Sequence, residues 1–160
     1  MNEIEINFQL TEKQYLDAIA LHNKLQVKRT MVSMVLIAII IGIYYVVFDL
    51  TIIHVLMIVI SYVLILWLMK FILKYKHKKI FNTTKLLNNK KMLTFYTDKF
   101  STISDISEVV LKYIALVKWY KNDEFLLIYL HKRAFHIVPI EAFKDVTELQ
   151  TVLEWFEHYK

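Results

Sequence analysis

The chain has 160 residues, 57% of them hydrophobic, with one glycine, one proline and no cysteine. The missing cysteines exclude disulfides, thiolate metal sites and cysteine nucleophiles, and a single glycine cannot build a glycine-rich phosphate loop. The net charge of +5 is concentrated: residues 70–91 carry eight lysines and no acid, whereas residues 1–30 hold four groups of each sign and residues 92–160 hold eight basic and ten acidic ones. One local basic block with no base-stacking module beside it gives no reason to expect a nucleic-acid partner.

Taken in order, residues 3–9 alternate, with Ile4, Ile6 and Phe8 on one face and Glu5 and Asn7 on the other, which predicts a short strand. Thr11 opens a helix. Thr11 and Gln14 fit a capping box, and Glu12 lies in the first turn, where the helix dipole favours negative charge. Tyr15, Ala18, Ile19, His22 and Leu25 recur at helical spacing, and no breaker precedes residue 31. These first 30 residues form the N-terminal segment.

Residues 31–69 hold one charge, Asp49. The stretches 31–48 and 52–69 are each 18 residues long without Asp, Glu, Lys or Arg. At the helical rise each covers roughly 27 Å, about the hydrocarbon thickness of a bilayer. A transmembrane helical hairpin is expected. Lys24, Lys28 and Arg29 precede it and Lys70, Lys74, Lys76, Lys78 and Lys79 follow it, so the positive-inside rule places both termini in the cytoplasm of a two-pass cell-membrane protein. Ala38 and Gly42, small and four apart, are the expected helix-packing pair. Asp49 and His54 read as groups at the wet outer turn rather than a buried functional pair. The polar content is too low to line a transport path, and two helices make a pore only as a homo-oligomer. Residues 70–91 are a basic juxtamembrane linker, with the five named lysines as its lipid-surface contacts; Phe71, Ile72, Leu73 and Tyr75 interleave with them. Residues 85–87 allow a helical turn.

From residue 92 the pattern changes to strands, expected at 92–97, 100–104, 108–112, 115–121, 124–130 and 134–138. Pro139 ends the last one. A helix opened by Asp145 or Thr147 then runs to about His158, with Val146, Leu149, Val152, Leu153 and Phe156 on its apolar stripe. The fold class is therefore an α+β membrane protein. A two-helix hairpin is joined to a cytoplasmic antiparallel β-barrel or sandwich of residues 92–160, closed by a C-terminal helix as in pleckstrin-homology-like domains. The strand at residues 3–9, cut off by the hairpin, is expected to join that sheet.

The "T-x-x-x-Y" start at Thr11 and Tyr15, two apolar spans, a β-rich region and the run Val138-Pro139-Ile140-Glu141-Ala142-Phe143 resemble the YcxB-like proteins of bacteria. The chain departs from that pattern in having Ile140 where a basic residue is usual and no glycine in the first β-hairpin. The resemblance implies a membrane-anchored, pleckstrin-homology-like domain without established catalysis. It is also similar to small two-span immunity proteins against bacteriocins and toxins. The run itself has a packing explanation, with proline stopping the strand, Ala142 small and Phe143 plugging the barrel end.

No nucleophile elbow, dinucleotide fingerprint or H-E-x-x-H is present, and the six histidines show no ligand spacing. Asp123, Glu124, Glu141 and Asp145 fall at turns and helix starts, where capping is usual. The expectation is a non-enzymatic protein with no catalytic residue, cofactor or metal. Its partners are membrane lipids and a protein or peptide, either a toxin or an envelope component. Self-immunity is the leading use, and a membrane-tethered scaffold or regulator binding a protein partner or anionic lipid is the alternative.

Overall fold

A computed structural model describes residues 3–25, 32, 35–40, 42–43, 45, 51–132 and 134–159. It divides into two compact units, one made of Met1–Ala18 with Phe81–Lys160 and one of Ile19–Ile80. In chain order the elements are β1 (Ile4–Phe8), α1 (Glu12–Leu25), α2 (Ile52–Thr83), α3 (Lys85–Asn88), β2 (Lys91–Phe95), β3 (Lys99–Ser104), β4 (Ser107–Lys112), β5 (Lys118–Lys121), β6 (Phe125–His131), β7 (Ala134–Pro139) and α4 (Val146–His158).

The strands form two antiparallel sheets, ordered β1-β2-β3-β4 and β5-β6-β7. The N-terminal strand does join the larger sheet: Ile4 pairs with Phe95 and Phe8 with Lys91. The reason lies in the alternation read above. Ile4, Ile6 and Phe8 need a covered face, and Lys91, Leu93 and Phe95 present the matching one across the ladder. Side-chain bonds reinforce the join. Gln9 Nε2 donates to the Asn88 carbonyl at 2.6 Å, Asn82 Nδ2 donates to Glu12 Oε2 at 3.1 Å, and the Tyr15 and Phe81 rings lie 5.3 Å apart.

Of the two forms expected, barrel or sandwich, the closed barrel is not formed: the strands make two separate sheets. The run from residue 115 to 121 is not one strand: Tyr113–Ala115 form a 3-10 turn and β5 begins only at Lys118. Tyr113 is the cause. Its backbone N–H donates to the Asp98 carbonyl at 2.9 Å and its hydroxyl to the Tyr96 carbonyl at 2.6 Å, while its ring is buried. This corner ends the first sheet and releases the chain to start the second.

Both sheets and α4 share one core, with Ile6, Leu93, Phe95 and Phe100 from the first sheet, Leu126, Ile128 and Val138 from the second, and Leu149, Val152 and Phe156 from the helix. Phe95 lies about 6 Å from each of Phe100, Phe143 and Phe156. The second sheet is buried on its other face as well: Phe125, Leu127, Tyr129 and Ile137, which alternate with the core residues, are all buried. Leu10, Tyr15, Ala18, Phe81 and Pro139 of this unit are buried as well. Burial on both faces accounts for the unbroken run FLLIY in β6, where a one-sided strand would alternate.

In the other unit, α2 is a single helix of 32 residues, about 48 Å at the helical rise. It is long and apolar enough to cross a membrane, and none of its apolar window is buried. It is the one such helix among the described residues. Asp49 lies outside the described residues, and so do eight of the 18 residues of the expected first span, 31–48; of that span, residues 32, 35–40, 42–43 and 45 are helical.

Candidate functional site

Two places are candidates for a functional site: the surface of α2 and an acidic groove on the β-unit.

Lys70, Lys74, Lys76, Lys78 and Lys79 all sit on α2 and are exposed. Steps of 100° per residue spread them around the helix instead of lining them along one stripe. Phe71, Ile72 and Tyr75 are exposed between them. A collar of long cationic stems among bare apolar rings suits the boundary between hydrocarbon and headgroups, where the stems cover apolar surface and the ammonium groups stay wet. The helix thus continues past its uncharged stretch into the basic linker, because nothing in residues 70–83 breaks it. At the other end Thr51 Oγ1 and His54 Nδ1 are 2.7 Å apart and exposed.

Ala38 and Gly42, the expected helix-packing pair, lie in the helical part of residues 35–43. Both are exposed, and a Cβ added at Gly42 would meet nothing within 4 Å. Small residues permit close helix approach without compelling it, and among the described residues no helix packs against Gly42.

The groove is about 290 Å³, lined by Lys13, Gln14 and Asp17 of α1, by Asp123, Glu124 and Phe125 at the turn into β6, and by Glu141. Local rules build it. Asn122 Oδ1 accepts from the backbone N–H groups of Glu124 and Phe125, at 3.1 and 2.7 Å, which fixes the turn. The Ile140 N–H donates to the Glu124 carbonyl at 2.9 Å, placing the 3-10 turn Ile140–Ala142 beside it. The capping box at the start of α1 forms: the Thr11 N–H donates to Gln14 Oε1 at 2.9 Å and the Gln14 N–H to Thr11 Oγ1 at 3.2 Å. The same Gln14 donates through Nε2 to Glu141 Oε1 at 2.7 Å.

Glu141 therefore ties α1 to the turn after β7 and caps no helix, whereas Asp145 does cap α4, accepting from the Glu148 N–H at 2.8 Å. Four carboxylates against one lysine favour a cationic group in this groove. Among the described residues no group of three His, Asp or Glu side chains is placed to hold a metal ion. Separate stretches of sequence converge here, so residue spacing along the chain gave no warning of the groove.

The core holds a second polar cluster that sequence reading missed. Lys91 and Thr102 are on the inner face of the first sheet, and His136 packs edge-on to Phe100 with ring centroids 5.5 Å apart. Burial pushes the Lys91 amine below its ordinary pKa; burial, and then the Lys91 charge, push the His136 imidazole below its own. Thr102 is 7% exposed and its hydroxyl has no hydrogen-bond partner among the described residues.

Together the geometry defines an α+β unit of two antiparallel sheets and a C-terminal helix, in a chain that also carries one long apolar helix. Residues 95–156, from the end of β2 into α4, match the family model described as YcxB-like protein. The match includes the run from Val138 to Phe143, whose Phe143 is buried against Phe95. Comparison with curated proteins finds no match, and comparison with solved structures finds none either.

Proposed function

We propose that the chain is a non-enzymatic, two-span membrane protein that holds a pleckstrin-homology-like β-unit on the cytoplasmic face, and that it protects its own cell from a bacteriocin or secreted toxin. The observation that carries the anchoring part is the β1–β2 ladder. Strands hydrogen-bonded in one sheet lie on one side of a bilayer. The chain between them must then cross an even number of times. If α2 crosses once, a second crossing is required, and residues 31–48 have the length and composition for it. The lysine collar supports the cytoplasm as the shared side. A two-span anchor that returns the chain to one β-unit keeps a binding surface close to the membrane that a toxin attacks. The test is expression in a toxin-sensitive strain: survival rises if the reading holds, and unchanged survival against the cognate toxin rejects it.

The acidic groove favours a second use, a membrane-tethered scaffold or regulator that takes a basic segment of a protein partner. Asp17→Asn together with Asp123→Asn is then expected to abolish capture of that partner while leaving survival against a toxin unchanged.

A further inference from the structure

The four-stranded sheet ends on β4, and the free side of that strand pairs with nothing among the described residues. The opposite edge, β1, is short, carries Glu5 and Asn7, and lies beside the 3-10 turn at Ile140–Ala142. Among the described residues, β4 has no such cover. Val109 faces inward, opposite Thr102, yet is 41% exposed; Val110 on the outer face is 53% exposed, and Ile106 at the hairpin tip 57%. Natural sheets guard an open edge with charge, proline or a bulge. Here the centre of the strand is Val-Val-Leu, and the charges stand on either side of it, at Glu108 and Lys112.

That spacing is self-complementary. In an antiparallel pair centred on Val110, Val110 meets its own counterpart. Glu108 meets the second copy's Lys112, Lys112 meets the second copy's Glu108, and Val109 meets Leu111. The side-chain period of two keeps each pair on a common face. Centring on Val109 sets Glu108 opposite Val110, and centring on Leu111 sets it opposite Ile114; neither matches the charges. We infer that β4 is a homodimerisation edge, joining two copies by antiparallel pairing about a two-fold axis through Val110, so that two four-stranded sheets become one of eight strands.

A dimer fits this edge better than insertion of the hairpin tip into lipid. Asp105 and Glu108 flank the exposed Ile106, and anionic headgroups repel both. The ladder by itself is smaller than a standard protein interface, so confinement of the chains in a shared membrane strengthens it. The geometry is independent of the self-protection reading: a chain that protects no cell still pairs at Val110.

The chain contains no cysteine, so single substitutions report the register directly. Residues directly opposite in an antiparallel pair have Cα atoms about 4.5–5.5 Å apart, within disulfide range. The full chain in nanodiscs carrying Val110→Cys is expected to oxidise to a covalent dimer at least about tenfold faster than one carrying Ile114→Cys, an exposed collision control. A mixture of Glu108→Cys and Lys112→Cys chains cross-links, whereas Glu108→Cys alone does not. With Val110→Cys present, Glu108→Lys or Lys112→Glu slows dimer formation and the two together restore it; both are surface changes that leave the fold intact. Cross-linking at Val110 no faster than at Ile114, or rates indifferent to the charge exchange, overturns the inference. So does Val110→Cys that stays monomeric and is shielded from a water-soluble thiol reagent only when lipid is present.

Discussion

At the scale of single residues, two buried polar atoms of the β-unit, Thr102 Oγ1 and Trp119 Nε1, have no hydrogen-bond partner among the described residues. The Thr102 hydroxyl is out of water without a hydrogen bond among the described residues, and such a group costs about 1–3 kcal/mol. Thr102→Val keeps the shape and removes the hydroxyl, so it is expected to be neutral or to stabilise by about 1 kcal/mol, read as a raised midpoint in thermal unfolding of the detergent-solubilised chain. A hidden partner for the hydroxyl would give a loss of similar size. His136 supplies a pH dependence. Its folded pKa lies below the ordinary 6.5, so in the interval between the two values the unfolded chain binds more protons. The stability it contributes is fully present above 6.5 and is lost as pH falls through that interval. Thermal midpoints are expected to drop on acidification below 6.5, and to drop less in His136→Gln.

At the scale of elements, α4 tests how far local sequence decides structure. Asp145 accepts from the Glu148 N–H, and Glu148 Oε2 in turn accepts from the Lys144 N–H at 3.1 Å. Asp145→Ala removes the cap and is expected to cost about 1 kcal/mol, measured by denaturant unfolding; Asp145→Asn keeps an acceptor oxygen and should cost less. This helix, the capping box at Thr11, the helical turn after Thr84 and the joining of β1 to the sheet were all legible, because each depends on short-range periodicity or on one alternating face that needs covering. The division of the strands into two sheets in place of a closed barrel was not legible. Whether a strand continues from residue 115 to 121 depends on Tyr113 reaching the Tyr96 and Asp98 carbonyls, and such contacts leave no periodic trace. A signal for the two-sided burial of β6 was present in its unbroken apolar run, which fits a strand covered on both faces better than a barrel strand. The acidic groove was hidden for a related reason: Asp17, Asp123 and Glu141 are far apart in sequence and meet only through tertiary packing.

At the scale of the whole molecule, β1 and β2 constrain everything between them. Their ladder brings residues 4–8 and 91–95 to one place. The intervening chain carries an exposed apolar helix and its lysine collar, so on the proposed two-span reading it leaves the membrane on the side where it entered. The most direct measurement is thiol accessibility in intact cells, using single cysteines in this cysteine-free chain at exposed positions on β1 (Glu5→Cys), on β5 (Lys121→Cys) and before α2 (Thr51→Cys). The account predicts that a membrane-impermeant reagent labels Thr51→Cys from outside, and labels Glu5→Cys and Lys121→Cys only after the membrane is opened. Labelling of Glu5→Cys and Lys121→Cys from opposite sides, or of all three in the soluble fraction, would contradict it.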